Sequence, residues 1–492
     1  MKKQIKYIIV LSFVLISANS CKKELLTAIP LTTVSDATAF DTPERILGNV
    51  RSLYANAKGG SFYAGRYIVY GDIRGEDFIN ETGNLVTGAD VWALNPTGTS
   101  TNSVINLWAQ AYYTINLCNI TIEGVTAKGP IVVGATLTNN YLGEARFVRA
   151  LCYYSLLQYY ARPFADGAGS KPGLPLRLTG IKGPGYSDLA RSTVAQIYTQ
   201  ILADLNFAEA NLPLTYTGAT SAELNTTRAQ RNTAIALKTR VFLSMQDYPN
   251  VILEGNKIVS AVGPFTATTG VPHALQPNIA NVFTTPYTTT ESIFSFPMTA
   301  AAGDNPGTQN QLGFYFLRNS TNPGSAEYSL NSAGIIADPS WGAADVRKTS
   351  LVFTNVGNGK RFVNKYQQPS PFLDWAPVIR YSEVMLNLAE ALARNNAATA
   401  DPRALLLVNA ARQRSDPSVT IVAATQAQLI AAIMLERRIE FLGEGLRNND
   451  LMRLLQTIPA KGSVPAKAPS DQGYIWPISS TELSLNKLMT DN

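Results

Sequence analysis

The sequence predicts a mainly α-helical fold, a scaffold of helical hairpins carrying two long loop-rich insertions, and three observations predict it. Between residues 192 and 212, Val194, Ile197, Tyr198, Ile201, Leu202, Leu205, Ala208 and Leu212 recur at the spacing of one helical face. Between 139 and 160 the apolar residues fall on two faces, Ala145, Val148, Cys152 and Leu156 on one and Phe147, Leu151, Tyr154 and Leu157 on the other. A helix apolar on both sides is sandwiched between neighbours, as in stacked hairpins, although no fixed-period repeat is visible. Over about 56–105 and 263–376 the periodicity fades and Gly, Pro, Thr and Asn become dense, while aromatics persist. That pattern argues for ordered loops on a scaffold rather than disorder.

At the N-terminus, Lys2, Lys3 and Lys6 precede an apolar run from Ile8 to Ile16 that is too short to span a bilayer, and Ser17-Ala18-Asn19-Ser20 leads into Cys21. This order resembles a bacterial lipoprotein signal, with Ala18 where leucine is more usual. The resemblance implies removal of residues 1–20 and acylation of Cys21, and several acyl chains make a stable anchor. A plain secretory signal with an incidental cysteine is the alternative. Residues 21–40 then form a tether, and 41–492 a single domain.

Helix starts are marked along that domain. Thr42-Pro43-Glu44 offers a cap followed by proline at the first helical position, and Thr193 with Gln196 forms a capping box. The same box pattern recurs as Thr227 with Gln230, Thr425 with Gln428 and Ser479 with Glu482. The expected helices are 42–58, 103–124, 139–161, 192–212, 228–246, 380–395, 402–412 and 426–442. Within the second insertion only short strand-like pieces stand out, such as Ser292-Ile293-Phe294-Ser295-Phe296.

Composition narrows the function. Hydrophobic residues are 46% of the chain, ample for a core, whereas charged residues are only 15% against roughly 25% in an average soluble domain. Surface polarity therefore comes from Asn, Thr, Ser, Gln and Tyr, which suits neutral, hydroxyl-rich ligands better than phosphates. The signal peptide carries half of the formal charge of +6, and no Lys/Arg block argues for nucleic acid. After Cys21 only Cys118 and Cys152 remain, both in apolar helical sequence, where a disulfide and two buried thiols are equally readable.

Five stretches then resemble the SusD/RagB family, in the family's order. The first is Gly143-Glu144-Ala145-Arg146-Phe147-Val148-Arg149-Ala150-Leu151-Cys152-Tyr153-Tyr154 with Tyr159-Tyr160-Ala161-Arg162-Pro163, and the second runs from Arg191 to Pro213. Arg380-Tyr381-Ser382-Glu383-Val384 with Asn387-Leu388-Ala389-Glu390-Ala391 is the third. The fourth is Glu436-Arg437-Arg438-Ile439-Glu440-Phe441 through Glu444-Gly445-Leu446-Arg447, Asp450-Leu451 and Arg453. Tyr474, Pro477-Ile478, Glu482-Leu483, Asn486 and Asn492 close the series. Leu446 stands where histidine is common, and Asn448-Asn449 where an aromatic is usual. The resemblance implies a tetratricopeptide-like scaffold and an outer-membrane lipoprotein that holds a nutrient, usually a glycan, over a SusC-like TonB-dependent transporter. Peptide capture on the same scaffold is the alternative, and a secreted hydrolase a further one.

The residues offer little to a hydrolase. Glu436, Arg437, Glu440, Glu444, Arg447, Asp450 and Arg453 recur three or four apart, so opposite charges can pair along one helical surface. A glycosidase acid needs a raised pKa, and so many adjacent arginines hold carboxylates ionised. Glu144, Arg146 and Arg149 read as partners of other helices. His273, the only histidine, lies in Pro- and Gly-rich sequence without a Gly-x-Ser-x-Gly elbow or a His-Glu-x-x-His motif, and reads as a loop residue without a catalytic role. Asp72, Glu76, Asp77 and Asp166 lie in Gly-containing loops where calcium is conceivable, but no complete EF-hand is present, and the sequence calls for no metal or cofactor.

A sugar presents C–H bonds on its face, which pack on an aromatic ring, and hydroxyls on its rim, which need amide, guanidinium or carboxylate partners. Trp108, Tyr112 and Tyr113 read as helix packing. Trp92 and Trp341 sit in irregular sequence and are the expected stacking platforms, with Arg74, Asn95, Tyr315 and Asp338 as the expected hydrogen-bonding groups. The alternative is that these aromatics pin long loops to the scaffold. The site is expected on one face formed by both insertions, because binding residues concentrate on loops held by a rigid frame.

Overall fold

The computed structural model describes residues 38–492 except 184, 186, 302, 319–325 and 397–398. The signal segment, Cys21 and most of the expected tether lie outside the described residues.

The scaffold is a stack of helices that follows chain order. Helix α1 (Pro43–Ala57) starts as expected, Thr42 Oγ1 accepting from Arg45 N at 3.3 Å with proline at the first turn. Helices α4 (Asn106–Val132), α5 (Ala135–Tyr160) and α6 (Val194–Asn211) pack in sequence, α5 lying between the other two as its two apolar faces require. Helix α8 (Arg231–Ser244) packs on α6, α9 (Tyr248–Gly255) on α8, and α12 (Tyr381–Asn395) on α9. Helices α13 (Pro402–Ser415) and α14 (Gln426–Glu440) close the stack against α12. Since α9 and α12 touch across more than 120 intervening residues, the second insertion leaves and rejoins the stack at one point.

Capping chemistry explains most helix starts and one shifted start, while the expected Ser479–Glu482 box is not formed, the helix starting at Ser480 without a side-chain cap. The boxes Thr193–Gln196 and Thr425–Gln428 are both formed. The expected Thr227–Gln230 box is not: Thr227 ends α7 (Ser221–Thr227), and Gln230 itself caps α8 with Thr233 reciprocating. A glutamine amide reaches the first free N–H groups as a hydroxyl does, which shifts the start to Arg231.

The first insertion departs most from expectation. Helix α2 (Arg66–Ile73) lies within it, and all eight of its residues are buried. A helix apolar around most of its circumference shows no periodic face, so its sequence reads as irregular. It crosses the C-terminal region with its backbone against Gly445: a Cβ added at Gly71 would sit 2.1 Å from the Gly445 carbonyl oxygen, so only glycine permits the crossing. The second insertion is mostly irregular, as expected, and Ser292–Phe296 is a buried strand antiparallel to Ala376–Arg380.

Cys118 on α4 and Cys152 on α5 are buried free thiols, and burial pushes both thiols well above their usual pKa. His273 is buried too. One ring nitrogen faces Gln230 Nε2 at 3.2 Å and the other the Thr290 carbonyl at 3.2 Å, and burial lowers its pKa to about 4. The histidine is therefore neutral and fixes a loop to the start of α8.

The charged residues near the C-terminus form a buried network. Arg380 pairs with Glu291, with Glu440 at 3.0 Å and with Glu444 at 2.6 Å. Arg347 joins Asp345, Glu436 and Glu440; Arg412 joins Glu436; Arg414 joins Glu291 and Glu440. Arg453 and Arg437 share Asp450, and Arg453 also holds Glu390. Pairing along one helical surface, the expectation, accounts only for Asp450 with Arg453; Arg437 reaches Asp450 from the preceding helix. The other partners come from the second insertion, α12 and α13, because a carboxylate buried on a helix flank needs a cation delivered from outside that helix. On α5, Glu144 pairs with Arg228, and Arg149 with Asp204 at 2.7 Å, both across helices as read from sequence.

Candidate functional site: a cleft where the two insertions meet

The two insertions are joined by a sheet. Strand β1 (Phe78–Asn80) of the first pairs antiparallel with β5 (Tyr328–Leu330) of the second, Ile79 opposite Ser329. Side chains stitch the junction: Glu327 accepts from Thr87 Oγ1 at 2.7 Å and from Thr82, Tyr328 Oη donates to the Thr87 carbonyl at 2.9 Å, and Asn331 Nδ2 donates to the Glu76 carbonyl at 2.8 Å. Asp77 accepts from Ile335 N at 2.7 Å and pairs with Arg438 of α14 at 2.5 Å, so the junction is tied to the scaffold.

A hairpin of Val352–Thr354 and Arg361–Val363 stands beside this sheet and encloses a cleft of about 720 Å³. Ile79, Leu330 and Ile336 give it an apolar floor, and Glu81, Ser329, Ser332, Asn358, Lys360 and Arg361 give it polar walls. Ser329 Oγ donates to Glu81 Oε1 at 2.5 Å, and Glu81 also pairs with the half-exposed Lys360. The lysine end of this pair stands in water and can turn to ligand hydroxyls, while the mostly buried Glu81 stays held by Ser329. The exposed Arg361 guanidinium makes no hydrogen bond or ion pair among the described residues.

The structure separates the six residues expected at the site. Trp341 is 2% exposed, with Lys348 Nζ 5.1 Å from its ring centroid; its indole closes the loop onto the scaffold and cannot serve as a platform. Tyr315 is buried, donating to the Gln309 carbonyl at 2.9 Å and stacking on Tyr328 beneath the junction, and burial pushes its phenol up to about 12. Arg74 is 1% exposed, donates to the Tyr474 carbonyl at 2.6 Å and is lowered to about 10 by burial. These three sit inside because a ring or guanidinium is what holds an irregular loop down when periodic apolar faces are missing. Asp338 is half-buried and does not line the cleft; its carboxylate accepts from Ser340 N at 2.8 Å. Trp92 is half-buried behind β1 and donates to the Phe78 carbonyl at 2.8 Å. Asn95 is exposed, in a separate cleft of about 660 Å³ with Arg162, Lys467 and Asp471.

Glu81, Ser329 and Arg361 were not legible as site residues. Period-two alternation over three-residue strands is too short to register, and the Asn358-Gly359 pair before Arg361 marks a turn without saying what the turn faces. The acidic loops weighed for calcium are occupied by cations or backbone. Glu76 pairs with Arg447 at 2.5 Å, Asp166 with Arg162 at 2.5 Å, and Asp72 accepts from Gly445 N at 2.7 Å. Catalysis at the Glu-Arg-Arg block would require a protonated acid there, and Arg414, Arg380 and Arg347 hold the Glu440 carboxyl well below the usual range.

Two family profiles match the chain: one described as starch-binding associating with outer membrane over residues 32–243, and one described as the SusD family over 355–492. A crystal structure of a SusD superfamily protein from Bacteroides fragilis is 30% identical, with a TM-score of 0.80, covering 92% of this chain and 100% of that one. The chain belongs to the SusD family. Another SusD-like protein, P38 of Formosa agariphila, is 24% identical over 547 residues, covering 100% of this chain and 99% of its own. A surface glycan-binding protein A from Bacteroides fluxus shares the fold at 20% identity, with a TM-score of 0.71 and coverage of 92% and 99%. The tetratricopeptide-like scaffold of this SusD-family chain is thus seen both in its own helix stack and in its relatives. Among the described residues no helix is long and apolar enough to cross a membrane.

Proposed function

We propose that this protein captures a hydroxyl-rich glycan at the cell surface and passes it to a SusC-like TonB-dependent transporter, without cleaving it. The observation that carries the reading is the cleft at the β1–β5 junction, where Arg361, without a side-chain partner among the described residues, stands beside the Glu81–Lys360 pair and an apolar floor. Charged groups of both signs at the rim hydrogen-bond vicinal hydroxyls, and the floor accepts the C–H face of a ring. Trp92 supports the strand that carries Ile79. The surface glycan-binding relative and the family profile's outer-membrane description support the same role. Anchoring through lipid on Cys21 belongs to the proposal, and Cys21→Ala is expected to move the protein from membranes into the soluble fraction.

A glycan array spanning plant, algal, fungal and host polysaccharides tests the reading, followed by calorimetry on Arg361→Ala. The expected result is binding without turnover, weakened in the variant. Hydrolysis of a bound glycan, or unchanged affinity in the variant, would overturn the function or the site respectively. Co-purification with a large TonB-dependent barrel tests the partner.

A further inference from the structure

A second cleft, of about 610 Å³, lies on the scaffold itself, between the first turns of α4, the chain after β2 (Pro172–Pro175) and the short C-terminal helix Ser480–Leu485. It shares no lining residue with the cleft at the insertions. Its volume falls within the roughly 300–1,000 Å³ of small-ligand sites.

Tyr112 and Tyr113 are neighbours on α4, about 100° apart around the helix, and both line the cleft. Tyr112 packs on Trp108, with ring centroids 4.7 Å apart, and donates to the Pro175 carbonyl at 2.9 Å, as the packing reading of this stretch expects. Tyr113 instead turns outward at the mouth of the cleft and is 55% exposed, and it is the only exposed aromatic side chain among the described residues. Leu485, also exposed, and Ile181 flank it. Ile181 is held in place by Asn116, which donates to the Ile181 carbonyl at 3.0 Å and accepts from its N–H at 2.7 Å. A ring on a rigid helix, with its apolar flanks fixed, exposes one face at little further ordering cost.

The floor is polar and balanced. Arg177 donates to the Ser187 carbonyl at 2.7 Å and approaches Glu482 to 3.5 Å, and Glu482 accepts from Asn486 Nδ2 at 2.8 Å and from Trp108 Nε1 at 3.3 Å. With five guanidinium donors and about four carboxylate lone pairs, both groups keep capacity for further hydrogen bonds. Glu482 repels an anionic ligand and Arg177 a cationic one. What fits both is a neutral molecule with an apolar face for Tyr113 and hydroxyls for the Arg177–Glu482 floor.

We propose that this cleft is a second carbohydrate site, in which Tyr113 stacks a sugar ring of a neutral glycan and Arg177 with Glu482 bind its hydroxyls. The proposal goes beyond the capture site at the insertions and does not depend on it. Two sites on one chain would hold a polysaccharide by avidity, since the second contact forms at high effective concentration once the first is made.

The test is calorimetry of the full mature chain with maltooligosaccharides, laminarioligosaccharides, xylooligosaccharides and mannooligosaccharides, on wild type, Tyr113→Ala, Tyr113→Trp and Arg361→Ala. Because Tyr113 is exposed, its variants should fold, as circular dichroism would check. The expected result is roughly tenfold weaker binding of at least one sugar in Tyr113→Ala and retained or tighter binding in Tyr113→Trp, with hydrogen-exchange protection across residues 106–119. If Tyr113→Ala weakens binding while Arg361→Ala does not, this site stands and the insertion cleft fails as the capture site. Superimposable isotherms for wild type and Tyr113→Ala would overturn the proposal. So would the absence of binding to all four sugar classes, or protection of 106–119 by a barrel protein and by none of the sugars.

Discussion

The C-terminal charge network and the insertion cleft are built from similar side chains, arginine, glutamate and asparagine, and use them in opposite ways. In the network each guanidinium meets carboxylates it cannot leave: Arg380 is 2% exposed and shared among Glu291, Glu440 and Glu444. In the cleft Lys360 and Arg361 are exposed, Lys360 paired with Glu81 and Arg361 in no ion pair among the described residues. Burial makes the difference, because a charge taken out of water must be paired to persist, whereas an exposed charge remains available. The same residue types therefore fasten the insertions to the scaffold in one place and face a ligand in the other.

Arg380→Ala should break the network most severely. Removing it leaves Glu444 with Lys365 alone and takes one of three arginines from Glu440, and losing a partner from a buried ion pair costs up to about 3–5 kcal/mol. Urea denaturation should show a correspondingly lower midpoint, and a shift as small as that of a surface substitution would mean that the network is hydrated rather than buried.

Acid should separate the regions next. The Glu440 and Glu390 carboxyls are held below the usual range by Arg414, Arg380 and Arg347 and by Arg453 respectively, and Asp450 is lowered by Arg437 and Arg453. A depressed carboxyl contributes stability that is present above its unfolded pKa, about 4, and is lost as pH falls through the folded value. Thermal stability should therefore hold from neutrality to about pH 5 and fall below about pH 4. High salt should do little to this loss, since buried pairs are weakly screened.

Much of this organisation was legible in the sequence. The capping boxes at Thr193 and Thr425 and the two-faced pattern of α5 depend on local chemistry and helical period, and they placed the long helices to within a few residues except at the far end of α4. Helix α2 escaped because it lacks a polar face. The candidate site escaped for a different reason: which aromatic is exposed depends on tertiary packing, so Trp341, read as a platform, is buried, and Tyr113, read as helix packing, faces water. A cation that pairs across hundreds of residues, as Arg438 does with Asp77, leaves no local signature.

In the cleft, Arg361→Ala is expected to leave stability within about 0.5 kcal/mol, as exposed substitutions do. Glycan affinity should nevertheless drop about tenfold, in line with losing one hydrogen-bonded charge. Denaturation and calorimetry on the same preparation check both. If stability falls and affinity does not, the arginine belongs with the network rather than with the site.

The finest distinction concerns Trp92, which belongs partly to each region. Its Nε1 donates to the Phe78 carbonyl of β1, and Lys461 Nζ lies 5.8 Å from its ring centroid, so one side of the indole supports the strand that carries Ile79 into the cleft. Trp92→Phe keeps an aromatic body and removes only the donor, leaving the half-buried carbonyl short of a partner. The expected stability loss is about 1 kcal/mol, the net worth of a typical hydrogen bond. If the ring acts from behind the strand, affinity should change less than in Arg361→Ala, and Trp92→Ala should lower stability more than it lowers affinity. A larger affinity loss in Trp92→Ala than in Arg361→Ala, with stability maintained, would put the indole face against the ligand and return Trp92 to the stacking role expected from its sequence context.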